Sequence, residues 1–146
     1  MKRYIFGFVV LSALGGVAFA EDKKANSEAK KLEGTWEVVF AEIMGKKIDA
    51  PKGASIVFGK GMKVVMKDPG KLDQDGKYKI DASKSPKQLD LVFLNDGKHE
   101  QVMPAIYEVD GDTLRLGFSG EGPKGKRPTE FKGEKVLIMH LKRQKS

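Results

Sequence analysis

An all-β fold, a single antiparallel up-and-down barrel of about eight strands behind a short N-terminal helical turn, is what the sequence predicts. Three observations carry it. Apolar residues alternate with polar ones, period two, in segment after segment. Gly and Asp-Gly punctuation of the hairpin kind separates the segments. No helical spacer stands between them, so neighbours fold back antiparallel, and closing such a meander hides its edges.

The first twenty residues are set apart from that fold. Lys2 and Arg3 precede an apolar run from Tyr4 to Val17, and Ala18-Phe19-Ala20 supplies small residues at a cleavage site, the pattern of an export signal cut after Ala20. The run falls short of the roughly 20 residues that a membrane-spanning helix needs. Residues 21–146 then form one domain, exported to the periplasm or secreted, without stable membrane insertion. The chain has no cysteine, so disulfides, thiol chemistry, thiolate metal sites and a lipid anchor at the cleavage site are excluded. Net charge is +7 for the whole chain, and the basic excess is smaller once Lys2 and Arg3 leave with the signal. Lysines interleave with acids and no arginine stripe with stacking aromatics occurs, which describes a solvated surface and not a nucleic-acid groove.

Residues 21–25 are charged. Asn26 or Ser27 caps a helical turn that runs through Leu32 and ends at Glu33-Gly34, with Glu28 in its first turn. In the first strand, Thr35 to Ala41, the residues Trp36, Val38 and Phe40 share one face. The same parity recurs in Ala54-Ile56-Phe58, Met62-Val64-Met66, Tyr78-Ile80, Leu89-Leu91-Phe93, Ala105-Tyr107-Val109 and Leu114-Leu116-Phe118, and the last strand is Val136 to Leu141. The turns are placed at Gly45-Lys46, Gly59-Lys60-Gly61, Asp68-Pro69-Gly70, Asp75-Gly76, Asp96-Gly97 and Asp110-Gly111-Asp112. Residues 119–133, SGEGPKGKRPTEFKG, are too long for a hairpin turn and read as a functional or mobile loop.

A barrel needs a stopper where its first strand enters. Gly34 permits a tight turn from the helix, Trp36 is the largest apolar plate available, and Arg143, just past the last strand, is placed to lie on the outer side of the indole. Gly34-Thr35-Trp36 after a helical turn, with an arginine after the final strand, resembles the lipocalin and calycin barrel signature. Four blocks in order, at 32–39, 107–114, 127–131 and 141–143, resemble an uncharacterised exported domain family, abundant in planctomycete genomes and described as lipocalin-like. That family often has cysteine where this chain has Gly117, so no role of that cysteine carries over. The resemblance implies a barrel and export, and no activity.

Candidate chemistry is sparse. His99 sits in a polar Lys-His-Glu turn, and His140 points outward if Leu137, Met139 and Leu141 share the side of the closure. Asp73 to Gly76 lacks two ligands of a calcium loop, and Gly120 to Lys126 has the spacing of a phosphate loop but is followed by Arg127 and Pro128 where Ser/Thr and a helix are needed. No nucleophile elbow and no distinct carboxylate pair occurs, so no cofactor, metal or catalytic residue is assigned. Two functions remain. In one, a small apolar ligand lies inside a barrel lined by Trp36, Val38, Phe40, Ile56, Tyr78, Leu91, Tyr107 and Leu116. In the other the interior is filled, and Lys124, Lys126 and Arg127 of the long loop engage a protein or an anionic envelope polymer.

Overall fold

The structure, a computed structural model, describes residues 27–95 and 97–145. The expected export signal, its expected cleavage point and the Asn26 cap lie outside them. A helix over 27–32 leads into nine strands: β1 (Gly34–Ile43), β2 (Lys46–Asp49), β3 (Ser55–Gly59), β4 (Lys63–Lys67), β5 (Gln74–Asp81), β6 (Lys87–Asn95), β7 (His99–Asp110), β8 (Thr113–Ser119) and β9 (Val136–Arg143). They form one antiparallel sheet in the order β2-β1-β3-β4-β5-β6-β7-β8-β9, and β1 also pairs with β9. Eight strands thus close into a barrel, and β2 is an addition to its wall.

The position of β2 follows from how β1 shares its edge. The lower half of β1 pairs with β3, from Gly34↔Phe58 to Glu37↔Ser55, and its upper half pairs with β2, from Phe40↔Asp49 to Ile43↔Lys46. One return strand therefore runs down β1 and is interrupted at Pro51-Lys52-Gly53, where proline cannot donate to a ladder. The hairpin turn that starts this return is Met44-Gly45, both at positive φ (54° and 76°), one residue earlier than the turn chemistry places it.

Two expectations about strands are corrected. Asp75-Gly76 is not a turn but the start of β5, and Gly76 pairs with both Val64 and Phe93. A Cβ on Gly76 would come within 2.8 Å of the Phe93 ring, so the ring covers the glycine and the strand runs on through it. The chain reversal between β4 and β5 lies in residues 68–73 instead. Phe40 does not face inward. Val39 is an extra residue between the pairs Val38↔Leu141 and Phe40↔His140, and this bulge reverses the alternation for the rest of β1. Ala41 now faces Met139 across the ladder, and Phe40 stacks on His140 with 4.2 Å between ring centroids.

The core is one cluster along the barrel axis, from Leu32 of the helix through Trp36, Phe58, Tyr78, Leu89, Leu91, Tyr107 and Leu116 to Leu141. A smaller apolar layer lies outside the wall. Residues 120–135 fold back over β7–β9, where Phe131 sits against Gly117 and under the Arg115 guanidinium, 4.3 Å from the ring centroid. A Cβ at Gly117 would stand 2.9 Å from Ile106 and 3.4 Å from Phe131, so the absent side chain is what seats the loop.

The antiparallel order sorts the connections onto two ends. The helix and the β3–β4, β5–β6 and β7–β8 turns share one end, and the β1–β2, β4–β5, β6–β7 and β8–β9 connections share the other.

Candidate functional site

The helix end is closed by the residues that the sequence singles out. Trp36 has no exposed surface, and its indole Nε1 donates to the Leu32 carbonyl at 2.8 Å. The Arg143 guanidinium lies 4.2 Å from the indole ring and donates to the carbonyls of Glu33 (2.6 Å) and Lys31 (2.7 Å), which are the acceptors that the helix leaves unpaired at its C-terminus. Its Nε faces Asp112 Oδ1 at 3.4 Å. Gly34 has φ 128°, and a Cβ there would meet Arg143 Nη1 at 2.9 Å. Glycine is required twice over, by the backbone angle and by the guanidinium.

The same end holds a polar cluster that sequence reading misses. Glu28, only 5 % exposed, accepts from the Tyr107 hydroxyl at 3.1 Å and pairs with Lys31 (2.8 Å) and Lys87. Burial pushes the Glu28 carboxyl up, but the hydrogen bonds from Lys31, Lys87 and Tyr107 outweigh it and hold the group at about 2. Burial, and then the Glu28 charge, push the Tyr107 hydroxyl up. Burial likewise raises Tyr78, whose hydroxyl has no hydrogen-bond partner among the described residues. Glu28 and Tyr107 are 79 residues apart, and the acid reads in the sequence only as a helix first-turn residue.

The residues expected to line a pocket are therefore mostly packing. Trp36, Ile56, Tyr78, Leu91, Tyr107 and Leu116 are all buried within the single core cluster. Phe40 belongs to the outer wall, where Lys47 lies 4.6 Å from its ring. Of the expected set, Val38 and Ile56 border a cavity at the top of the barrel, and Phe40 borders a depression on the outer wall. That cavity opens at the end opposite Trp36. It has a volume of about 290 Å3, and its apolar walls come from Ala41 and Val38 of β1, Ile48 of β2, Ile56 of β3, Met66 of β4 and Met139 of β9. It exists because β2 and β3 are split: Ala50, Pro51 and Ala54 line the break, and small side chains there leave the upper barrel unfilled. Its charged rim is Asp49, Lys67 and Asp68, the last paired with Lys71 at 3.4 Å.

The long loop places its three basic residues differently. Arg127 turns to the wall, donating to the carbonyls of Ala105 (2.9 Å) and Leu89 (3.3 Å) and to Asp90 Oδ1 (2.6 Å). This is beside Pro104, which brings no N–H to the β6–β7 ladder. Arg127 is an anchor for the loop and not a free contact, whereas Lys124 and Lys126 are exposed.

His140 lies on the outer wall, 3.5 Å from Glu42, while Leu137, Met139 and Leu141 pack on the core, so its outward placement agrees with the parity of β9. Tyr107 points in and Glu108 out, so Tyr107 stays apart from Glu108 and His140, which border one depression on the outer wall together with Phe40 and Arg115. Among the described residues no group of three His, Asp or Glu side chains converges as a metal site would require. Comparison with family models, with curated proteins and with solved structures finds no match to this chain.

Proposed function

We propose that this is an exported lipocalin-like barrel that holds a small, uncharged, apolar molecule, or the end of one, in the cavity at its open end. The observation that carries the reading is the cavity itself. At about 290 Å3 it stands at the lower edge of the roughly 300–1,000 Å3 spanned by small-molecule sites, and it is walled by aliphatic and methionine side chains. Methionine adapts to ligands of different outline. The rim favours no charge of either sign, because Asp49 and Lys67 oppose each other and Asp68 has its own lysine. A charged ligand group carried into such walls would go unpaired.

The test is a titration with the uncharged dye N-phenyl-1-naphthylamine, followed by displacement with straight-chain alcohols. The wild-type protein is expected to enhance the dye's emission. Ala41→Phe, which fills the cavity from β1, is expected to weaken binding by at least about tenfold while leaving the melting temperature in place. Absence of binding by the wild type, or equal binding by Ala41→Phe, overturns the proposal.

A further inference from the structure

The strand β2 leaves an edge of the sheet free. It stands at the end of the strand order and pairs with β1 alone. All four of its residues are exposed. Its two-residue turn closes on the pair Ile43↔Lys46, which in such a hairpin is a hydrogen-bonded pair, and the alternation then commits the backbone groups of Lys46 and Ile48 to β1. The N–H and C=O of Lys47 and Asp49 point the other way, and neither residue has a backbone partner there among the described residues.

An open edge invites another strand, and a lysine on the edge ordinarily repels it. Here the repulsion depends on register. Two copies of β2 that run antiparallel about a twofold axis must place one residue opposite itself. Centred on Lys46, Lys47 or Asp49, such a pairing sets like charges face to face. Centred on Ile48, it sets each Lys47 opposite the other copy's Asp49, with the two Ile48 side chains meeting between them. The hydrogen-bonding phase agrees, because Lys47 and Asp49 are the residues whose backbone groups are free and an opposed pair of them exchanges both bonds. Neither side chain has an ion partner among the described residues, although Lys47 lies 4.6 Å from the Phe40 ring. The same register carries the hairpin tip at Met44, 66 % exposed, level with the other copy's break at Pro51-Lys52-Gly53.

We infer that the protein forms a symmetric dimer in which β2 pairs antiparallel with β2 of a second copy, Ile48 opposite Ile48, so that two barrels share one continuous sheet. The partner is another copy because the edge matches itself: one four-residue strand supplies the free backbone groups, both charges of each Lys47–Asp49 pair and the isoleucine contact on the axis. The interface is small, and its dissociation constant is expected on the order of 100 μM. The pairing stands on the strand edge and not on the cavity's contents. All nine strands and the whole core cluster lie between Leu32 and Arg143, so the chain from Glu21 onward is the unit to test, free of the apolar leader.

Sedimentation equilibrium from about 1 μM to about 1 mM is expected to show the wild type passing from monomer to dimer. Lys47→Asp and Asp49→Lys each set like charges opposite one another, and each alone is expected to dimerise at least about tenfold more weakly. Mixed in equal amounts, the two variants are expected to associate within about threefold of the wild type, since every opposed pair then carries unlike charges. Lys47→Pro removes an N–H that β1 does not use, and is expected to lose the dimer while melting as the dilute wild type does. The chain has no cysteine, so Ile48→Cys carries a single thiol. Placed opposite its twin at the roughly 4.5 Å of a non-hydrogen-bonded pair, it is expected to cross-link at least about tenfold faster than Leu94→Cys on the wall. A wild type that stays monomeric throughout, leaving the edge to some other extended chain, would overturn the inference. So would absence of recovery on mixing, a dimer undiminished by Lys47→Pro, or equal cross-linking from the two thiols.

Discussion

Replacing Glu28 by Gln removes one charge from the closed end and keeps its shape. The carboxyl is held at about 2 against an ordinary 4.5, and at about 1.36 kcal/mol per pH unit that difference corresponds to roughly 3 kcal/mol. Lys31 and Lys87 are themselves 57 % and 38 % exposed, and solvent screening of their side reduces the expected loss to about 2 kcal/mol at pH 7. The sign follows from the direction of the shift. A folded-state value below the unfolded one stabilises the protein above about 4.5, and the contribution disappears as the pH falls from there to about 2. The assay is urea unfolding of wild type and Glu28→Gln at pH 7 and in steps down to about 2, followed by Trp36 emission, which is specific because the chain has one tryptophan. The two proteins are expected to differ by about 2 kcal/mol at pH 7 and to converge at the acid end of that window. A gap that is constant across the window, or below about 0.5 kcal/mol at pH 7, would refute the account, since an exposed pair gives no more than that.

Two further outcomes test the other anchors. Arg143→Ala removes the cation from the indole face and both donors from the helix carbonyls, so a loss of about 2–4 kcal/mol and a red shift of Trp36 emission are expected in urea unfolding; an unshifted spectrum would mean that the plug does not depend on the guanidinium. Arg127→Met keeps the aliphatic stem but loses the three hydrogen bonds to β6 and β7, and cleavage by limited proteolysis within residues 120–135 is expected to quicken several-fold with little change in global stability. Equal cleavage rates would show that Phe131 alone holds the loop.

How much of this was legible in the sequence depends on the range of the forces involved. Side-chain alternation is a property of a few consecutive residues, so the strands, the outward His140 and the inward Trp36 could be read directly. Gly34 and Arg143 were legible as a pair because both sit next to strand ends whose antiparallel order fixes where they meet. Phe40 was not, because parity holds only until a bulge, and nothing in Val38-Val39-Phe40 marks which valine is the extra one. Asp75-Gly76 has the chemistry of a turn, and only the Phe93 ring across the sheet makes it a strand. Glu28 and Arg127 each serve partners tens of residues away, and a charged residue near a helix start or in a Gly/Pro-rich loop looks the same whether it is solvated or bonded. The cavity depends on the break between β2 and β3, a local failure of pairing that the composition of residues 50–54 does not by itself locate.

The seam between β1 and β9 joins Trp36 to Arg143, the first barrel strand to the last. A first strand that must wait for the last cannot complete its pairing until β9 has been made, because loop closure of that span has no earlier substitute. The cylinder therefore locks only once β9 is in reach of β1.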